Sequence, residues 1–206
     1  GKMIRDIEIK ERILQTTKEM FYRYGYSKVT MEEIAADLGI SKRTLYKHFS
    51  NKEHILKEIV NGAKCEIEAY VENLIDDKKT EFITKLQNFM AFVVSHFSRL
   101  SNPIVQDLVK NQPEVWKEIQ EFRKKNAHDC FTRLIQQGIR SGVFRDDINS
   151  EVVTMLYFSA VHGMLNLETL SQLPITADEA YKIIVRVLFE GIFTSEGRKK
   201  FKNKIK

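Results

Sequence analysis

Residues Val29 to Glu53 read VTMEEIAADLGISKRTLYKHFSNKE, and three helix starts and one tight turn fall in register within them. Thr30 is placed to accept a hydrogen bond from the Glu33 amide while the Glu33 carboxylate reaches back to the Thr30 amide. This is a capping box, with Val29 and Ile34 at the apolar staple positions. Ile34, Ala35 and Leu38 then make an apolar stripe at helical spacing, and Ala35 is small enough for a second helix to come close. Gly39 adopts the left-handed conformation that ends a helix without steric strain. Ser41 is a ready cap for the next helix, with Ile40 and Leu45 again at staple positions. Ser50 to Glu53 repeats the capping-box pattern and opens a further helix. Only Gly39, Ile40 and Ser41 separate the first two helices, and a turn of that length with a glycine is the signature of a helix-turn-helix.

Placed at about 100° per residue, Leu45 and Phe49 define the buried face of the second helix. Arg43 and Lys47 point most directly away from it, with Lys42 and Tyr46 on one flank and Thr44 and His48 on the other. In a helix lying in the DNA major groove, Arg bonds two acceptors on guanine, Thr offers a methyl and a hydroxyl, and Lys and Tyr reach phosphate oxygens. The unpaired amides that follow Ser50, with the Lys52 ammonium, form an anion site suited to a backbone phosphate. The candidate DNA contacts are Thr30, Ser41, Lys42, Arg43, Thr44, Tyr46, Lys47, His48 and Lys52.

Charge is distributed in agreement with that assignment. Residues 1 to 56 carry 11 Lys or Arg against 8 Asp or Glu, residues 57 to 197 carry 16 against 20, and residues 198 to 206 carry 6 against none. A basic N-terminal module and an acidic body suit a chain whose N-terminus meets phosphates and whose body is kept off them. The terminal run RKKFKNKIK is expected to be a solvated, fraying tail. Cys65 and Cys130 are far apart on predicted helices, so they are expected to be packed thiols in a reducing compartment, not a disulfide. No apolar run approaches the ~20 residues of a membrane span, and no signal-like segment is present, so a cytoplasmic protein is expected.

Helical patterning continues throughout, and the fold class is all-α. A first helix from about Asp6 to Tyr24 turns Ile13, Thr17, Met20, Phe21 and Tyr24 toward the motif, with Gly25 as its stop. Further helices are expected from Asn51 to about Ile75, from Thr80 to Leu100, from Pro103, and from Pro113 to about Arg140; both prolines sit at first helical positions. The last two span about Ser150 to Leu170 and Ala177 to Phe193, the latter behind a capping box from Thr176 to Glu179. Both are apolar over more than one face: the first carries Val152, Val153, Met155, Leu156, Phe158, Ala160, Val161, Met164 and Leu165, and the second Ile183, Ile184, Val185, Val187, Leu188, Phe189, Ile192 and Phe193. One small domain does not cover so much apolar surface, and a homodimer through this pair would.

The run from about Ile9 to Ile55 resembles the DNA-binding domain of the TetR family of bacterial transcriptional regulators. The resemblance rests above all on Phe21-Tyr22-Arg23-Tyr24-Gly25-Tyr26, Thr30, Ile34-Ala35, Leu38-Gly39, Ser41, Thr44 to Phe49 and Lys52-Glu53. The stretch GIRSGVFRDD, Gly138 to Asp147, resembles the same family more weakly, at the step before its last two helices. The resemblance implies a three-helix DNA-binding domain at 1–50 and a larger helical effector-binding and dimerisation domain at 51–206. It implies a repressor that is released from a pseudo-palindromic operator on double-stranded DNA. Release follows when a small molecule in the body changes the separation of two recognition helices through the fourth helix. Residues expected to line the effector site are Tyr70, Phe89, Phe92, His96, Phe97, Trp116, Phe122, Phe131, Phe158 and His162, although aromatics at helical spacing also serve as plain core.

Other classes find less in the sequence. His96, His128, His162, Cys65 and Cys130 lack metal-ligand spacing, so no metal and no cofactor is expected. There is no Gly-x-Ser-x-Gly elbow, phosphate-binding glycine loop or His-Glu-x-x-His motif, and neither cysteine has a basic cluster to activate it, which argues against an enzyme. The alternative within DNA binding is a ligand-independent or architectural protein whose body only dimerises.

Overall fold

A computed structural model describes the backbone of residues 2–98 and 102–204 and the side chains of residues 3–95, 102–166 and 168–203. The described residues form α1 (Lys2–Tyr24), α2 (Met31–Leu38), α3 (Lys42–His48), α4 (Lys52–Asp76), α5 (Phe82–Ser98), α6 (Pro103–Asn111), α7 (Pro113–Arg140), α8 (Ser150–Met164), α9 (Leu167–Ser171), α10 (Ala177–Ile192) and α11 (Ser195–Lys204). Apart from a lone antiparallel bridge between Phe144 and Phe193, there is no β-pairing among the described residues. The all-α class expected from the sequence is the class observed. No helix among the described residues is long and apolar enough to cross a membrane.

The chain divides into two compact units, Gly1–Ala69 with Arg99–Arg123, and Tyr70–Ser98 with Lys124–Lys206. Each has its own core. In the first, Ile13 and Phe21 of α1, Ile34 and Ala35 of α2, Leu45 of α3 and Ile55 and Leu56 of α4 pack with Ile104 and Leu108 of α6. Val115, Trp116 and Ile119 from the start of α7 lie against the same core. In the second, Val71 and Ile75 of α4, Phe89 of α5, Phe131 and Leu134 of α7, Tyr157 of α8 and Phe189 of α10 form one apolar cluster.

Local chemistry sets the ends of these helices. The break expected at Asp76 to Lys79 is present. There the Thr80 hydroxyl and the Lys79 and Thr80 amides hydrogen-bond the Asp77 carboxylate and pull its pKa down to about 2. Inside the second unit, Arg133 of α7 bonds Glu72 of α4 through both terminal nitrogens, at 2.8 and 3.3 Å. α10 begins on the expected box, with Thr176 Oγ1 accepting from the Glu179 amide and Glu179 Oε2 from the Thr176 amide.

Four expectations are corrected. α4 is capped one residue later than the Ser50–Glu53 pattern implies, because Asn51 Oδ1 accepts from the His54 amide at 2.8 Å. Tyr24 is exposed and does not face the motif, since α1 turns Ile13, Thr17 and Phe21 inward instead. The single helix expected from Ser150 to Leu170 is broken after Met164, where Asn166 bonds backward to the His162 and Gly163 carbonyls and caps α9 through the Thr169 amide. The terminal basic run is helical as far as Lys204, and its Phe201 ring lies 5.0 Å from that of Phe193 and packs against the core of the second unit.

Candidate nucleic-acid interface

The α2–α3 pair is built by its caps. Thr30 Oγ1 accepts from the Glu33 amide at 3.2 Å and Glu33 Oε2 accepts from the Thr30 amide at 2.8 Å, so both halves of the box are made. Gly39 sits at φ +65°, in the left-handed region, and the amides of Gly39 and Ile40 bond the Ala36 and Ala35 carbonyls. An L side chain at Gly39 would be strained there. Ser41 Oγ accepts from the Thr44 amide at 3.1 Å and lies 2.9 Å from Thr44 Oγ1, so the two hydroxyls engage each other. Leu45 and Phe49 are fully buried, and they fix which face of α3 is left outward.

That outward face carries the residues chosen from the sequence. Thr30, Ser41, Lys42, Arg43, Tyr46 and Lys47 are exposed, and Thr44 and His48 are half-buried at its edges. Lys42 Nζ is 2.9 Å from Glu32 and Lys47 Nζ is 3.4 Å from Asp6. All four side chains are well exposed, so these pairs add little stability. The hydrogen bond from Lys42 holds the Glu32 carboxyl below the usual carboxylate range. Among the described residues no carboxylate lies within ion-pair distance of Arg43, which stands between the two paired lysines.

Lys52 occupies a different environment from the open anion site expected of it. Its ammonium donates to the Tyr26 carbonyl at 2.9 Å and the Ser27 carbonyl at 3.4 Å, and it lies 4.3 Å from the centre of the Tyr26 ring. Burial lowers its pKa, against the pull of Asp107 and Glu33. Three ammonium hydrogens leave at most one for a phosphate. Glu32, the acid that holds Lys42, has no signal in the sequence, because the pair joins different helices ten residues apart.

The expected effector-site residues fall in two places. Tyr70, Phe89, Phe92, Phe131 and Phe158 come together in the second unit. There Tyr70 stacks on Phe92 at 4.4 Å, Phe89 lies 5.7 Å from Phe131, and Phe131 meets Phe158 edge-on at 6.0 Å. Trp116 and Phe122 belong to the first unit, where Trp116 packs on the core and Lys64 lies over the Phe122 ring. His162 is exposed. The side chains of His96 and Phe97 lie outside the described residues. The cluster also contains Tyr157, stacked 4.2 Å from Phe131 and bonded through its hydroxyl to Tyr181. Neither tyrosine stands out in the sequence, since helical spacing alone does not show which aromatic carries a buried polar tip.

A family model described as bacterial regulatory proteins, tetR family, matches residues 13–59. The regulator QacR of Staphylococcus aureus is 30% identical over 163 residues, which cover 77% of this chain and 85% of that protein. The uncharacterized regulator YvaF of Bacillus subtilis is 25% identical over 190 residues, covering 90% and 96%. Among solved structures, SmeT, the repressor of the Stenotrophomonas maltophilia multidrug efflux pump SmeDEF, is similar with a TM-score of 0.57 and 18% identity, covering 90% of this chain and 91% of that one. SmeT has also been solved in complex with triclosan.

Proposed function

The chain belongs to the TetR family of bacterial regulatory proteins, and from that premise we propose that it is a cytoplasmic repressor that binds a pseudo-palindromic operator as a homodimer. A small apolar effector releases it. The observation that carries this reading is the division of α3 into a fully buried face, Leu45 and Phe49, and an outward face of Lys42, Arg43, Tyr46 and Lys47. Arg43 reads a base edge, while Lys42 and Lys47 exchange Glu32 and Asp6 for phosphates. Thr30, Ser41, Thr44, Tyr46, His48 and the remaining hydrogen of Lys52 contribute backbone contacts that set register.

By role, residues 1–50 read DNA and residues 51–206 bind effector and dimerise. The dimer forms through α8 and α10, where Val152, Met155, Leu156, Ile183 and Val187 keep 53% to 70% of their surface exposed. Apolar side chains this exposed on two neighbouring helices favour burial against a second copy. The aromatic cluster around Phe131 and Phe158 supplies the effector site, and the solved complex of SmeT, similar in fold, with the small molecule triclosan supports a small-molecule effector.

Salt dependence tests the DNA reading directly. Two chains per duplex are expected, with affinity falling by roughly 10³-fold or more between 50 and 200 mM salt as about 6 to 10 phosphates are neutralised. Binding that is insensitive to salt, or one chain per duplex, contradicts the reading.

A further inference from the structure

The turn between α1 and α2 is held from both sides. Asp107, on α6, accepts from the Ser27 amide at 2.5 Å and from the Ser27 hydroxyl at 2.7 Å, across eighty residues of sequence. Asn111, one helical turn further along α6, donates to the same carboxylate at 2.5 Å and steadies it. From the other side Lys52 of α4 donates to the Tyr26 and Ser27 carbonyls. The Tyr26–Ser27 peptide group is thus held between an anion at its N–H and a cation at its C=O.

Asp107 does nothing of this kind for its own helix. It is the fifth residue of α6, past the first turn where a carboxylate stabilises the helix end. Apart from the bond from Asn111, its contacts go to Ser27 in the α1–α2 turn. The contact is close as well: Gly25 has φ +85°, and a Cβ built there would lie 3.0 Å from Asp107 Oδ2. Ile104 and Leu108, flanking Asp107 on α6, are buried in the core that also holds Phe21, Ile34 and Leu45, so α6 is seated as a part of the reading unit. The clamped turn runs directly into Val29, which is buried, and into Thr30, which caps α2.

We propose that Asp107 is a positioning residue for DNA reading: its carboxylate, opposed by Lys52, sets the Gly25–Lys28 turn and thereby the angle at which α2 and α3 present Arg43. The proposal rests on α3 being the DNA-reading helix. Without the clamp the reading-competent arrangement is one of several, and apparent affinity falls by the fraction of time it is populated.

The test uses the full chain and measures affinity for an operator recovered by selection, affinity for a random duplex, and thermal unfolding. Asp107→Ala is expected to lose about tenfold or more on the operator and little on random duplex at temperatures where it is folded. Asp107→Asn, which retains an acceptor for the Ser27 amide, and Ser27→Ala are expected to lose less, in the same direction. A merely structural role shifts the unfolding midpoint and leaves the operator-to-random ratio unchanged. That ratio staying within about twofold of the unmodified chain in folded Asp107→Ala overturns the proposal. If Asp107→Ala does not fold, the same result in both milder variants overturns it. If the unmodified chain selects no DNA, the reading on which the proposal rests fails. Hydrogen exchange at the Ser27 amide then judges the clamp alone: faster exchange in Asp107→Asn supports it, and an unchanged rate rejects it.

Discussion

The hydroxyls of Tyr157 and Tyr181 meet at 2.7 Å inside the core of the second unit and join α8 to α10. Both rings are buried, and burial before any other cause holds both phenols above their ordinary pKa, so the pair is neutral at any working pH. The two helices that leave apolar side chains outward are therefore tied to one another by a polar contact on their inner faces.

One bond between two hydroxyls makes their loss non-additive. Tyr157→Phe or Tyr181→Phe leaves the other hydroxyl buried without its partner and is expected to cost about 1–3 kcal/mol. The double variant removes both polar groups, so its cost falls below the sum of the single ones. Urea unfolding of the three variants measures this. Additive costs would mean the two hydroxyls do not interact in solution.

Dimerisation is tested on the outward face of the same helices. Leu156→Glu or Val187→Glu places a charge where an apolar interface is proposed, on residues 56% and 70% exposed within one chain. The fold should survive, because neither side chain is needed in the core. Sedimentation should show monomers at concentrations where the unmodified chain is dimeric, and operator affinity should drop with the loss of the second half-site. Dimers that persist in both variants would place the interface elsewhere.

Packing limits are sharpest at Gly138, in the last turns of α7. A Cβ there would lie 2.3 Å from Phe144 Cδ2 and 2.8 Å from Phe82 Cζ, inside an edge-to-face pair of rings with centres 5.4 Å apart. Gly138→Ala is expected to destabilise by about 1–3 kcal/mol through overpacking, although alanine favours a helix over glycine. Calorimetric unfolding reads the sign, and a rise in midpoint temperature would show that the two rings yield freely.

The reading helix was legible in the sequence because its determinants are local. Thr30 with Glu33, Gly39, and Ser41 with Thr44 lie within four residues of their partners, and each makes the contact its spacing implies. Asp107 with Ser27 and Lys42 with Glu32 depend on how helices cross, and no spacing announces them. The break at Leu165 was missed because it comes from the side chain of Asn166, a residue that also occurs within helices. The terminal helix was missed because six basic residues conceal one well-placed phenylalanine, Phe201. The effector-site candidates mixed two cores for a similar reason: α7 is one continuous helix, yet Trp116 and Phe131 lie in different units.

The proposed DNA contacts give the cations of α3 different roles. Arg43→Ala is expected to lose about 1–3 kcal/mol of discrimination at one base pair of each half-site, with little change on random duplex. Lys42→Ala and Lys47→Ala should weaken all duplexes alike and lower the salt slope of the dimer by about two each, one for each half-site. Equal losses for Arg43→Ala on operator and random DNA, measured by fluorescence anisotropy, would deny it a base-reading role.

The central claim is sequence-specific recognition by a two-fold dimer, and selection of the purified chain on a randomised duplex library at near-physiological salt tests it most directly. The account predicts enrichment of a pseudo-palindrome whose half-sites are centred a whole number of helical turns apart. Recovery of sequences with no common element, from protein that nonetheless binds DNA, would contradict it and leave an architectural protein in its place.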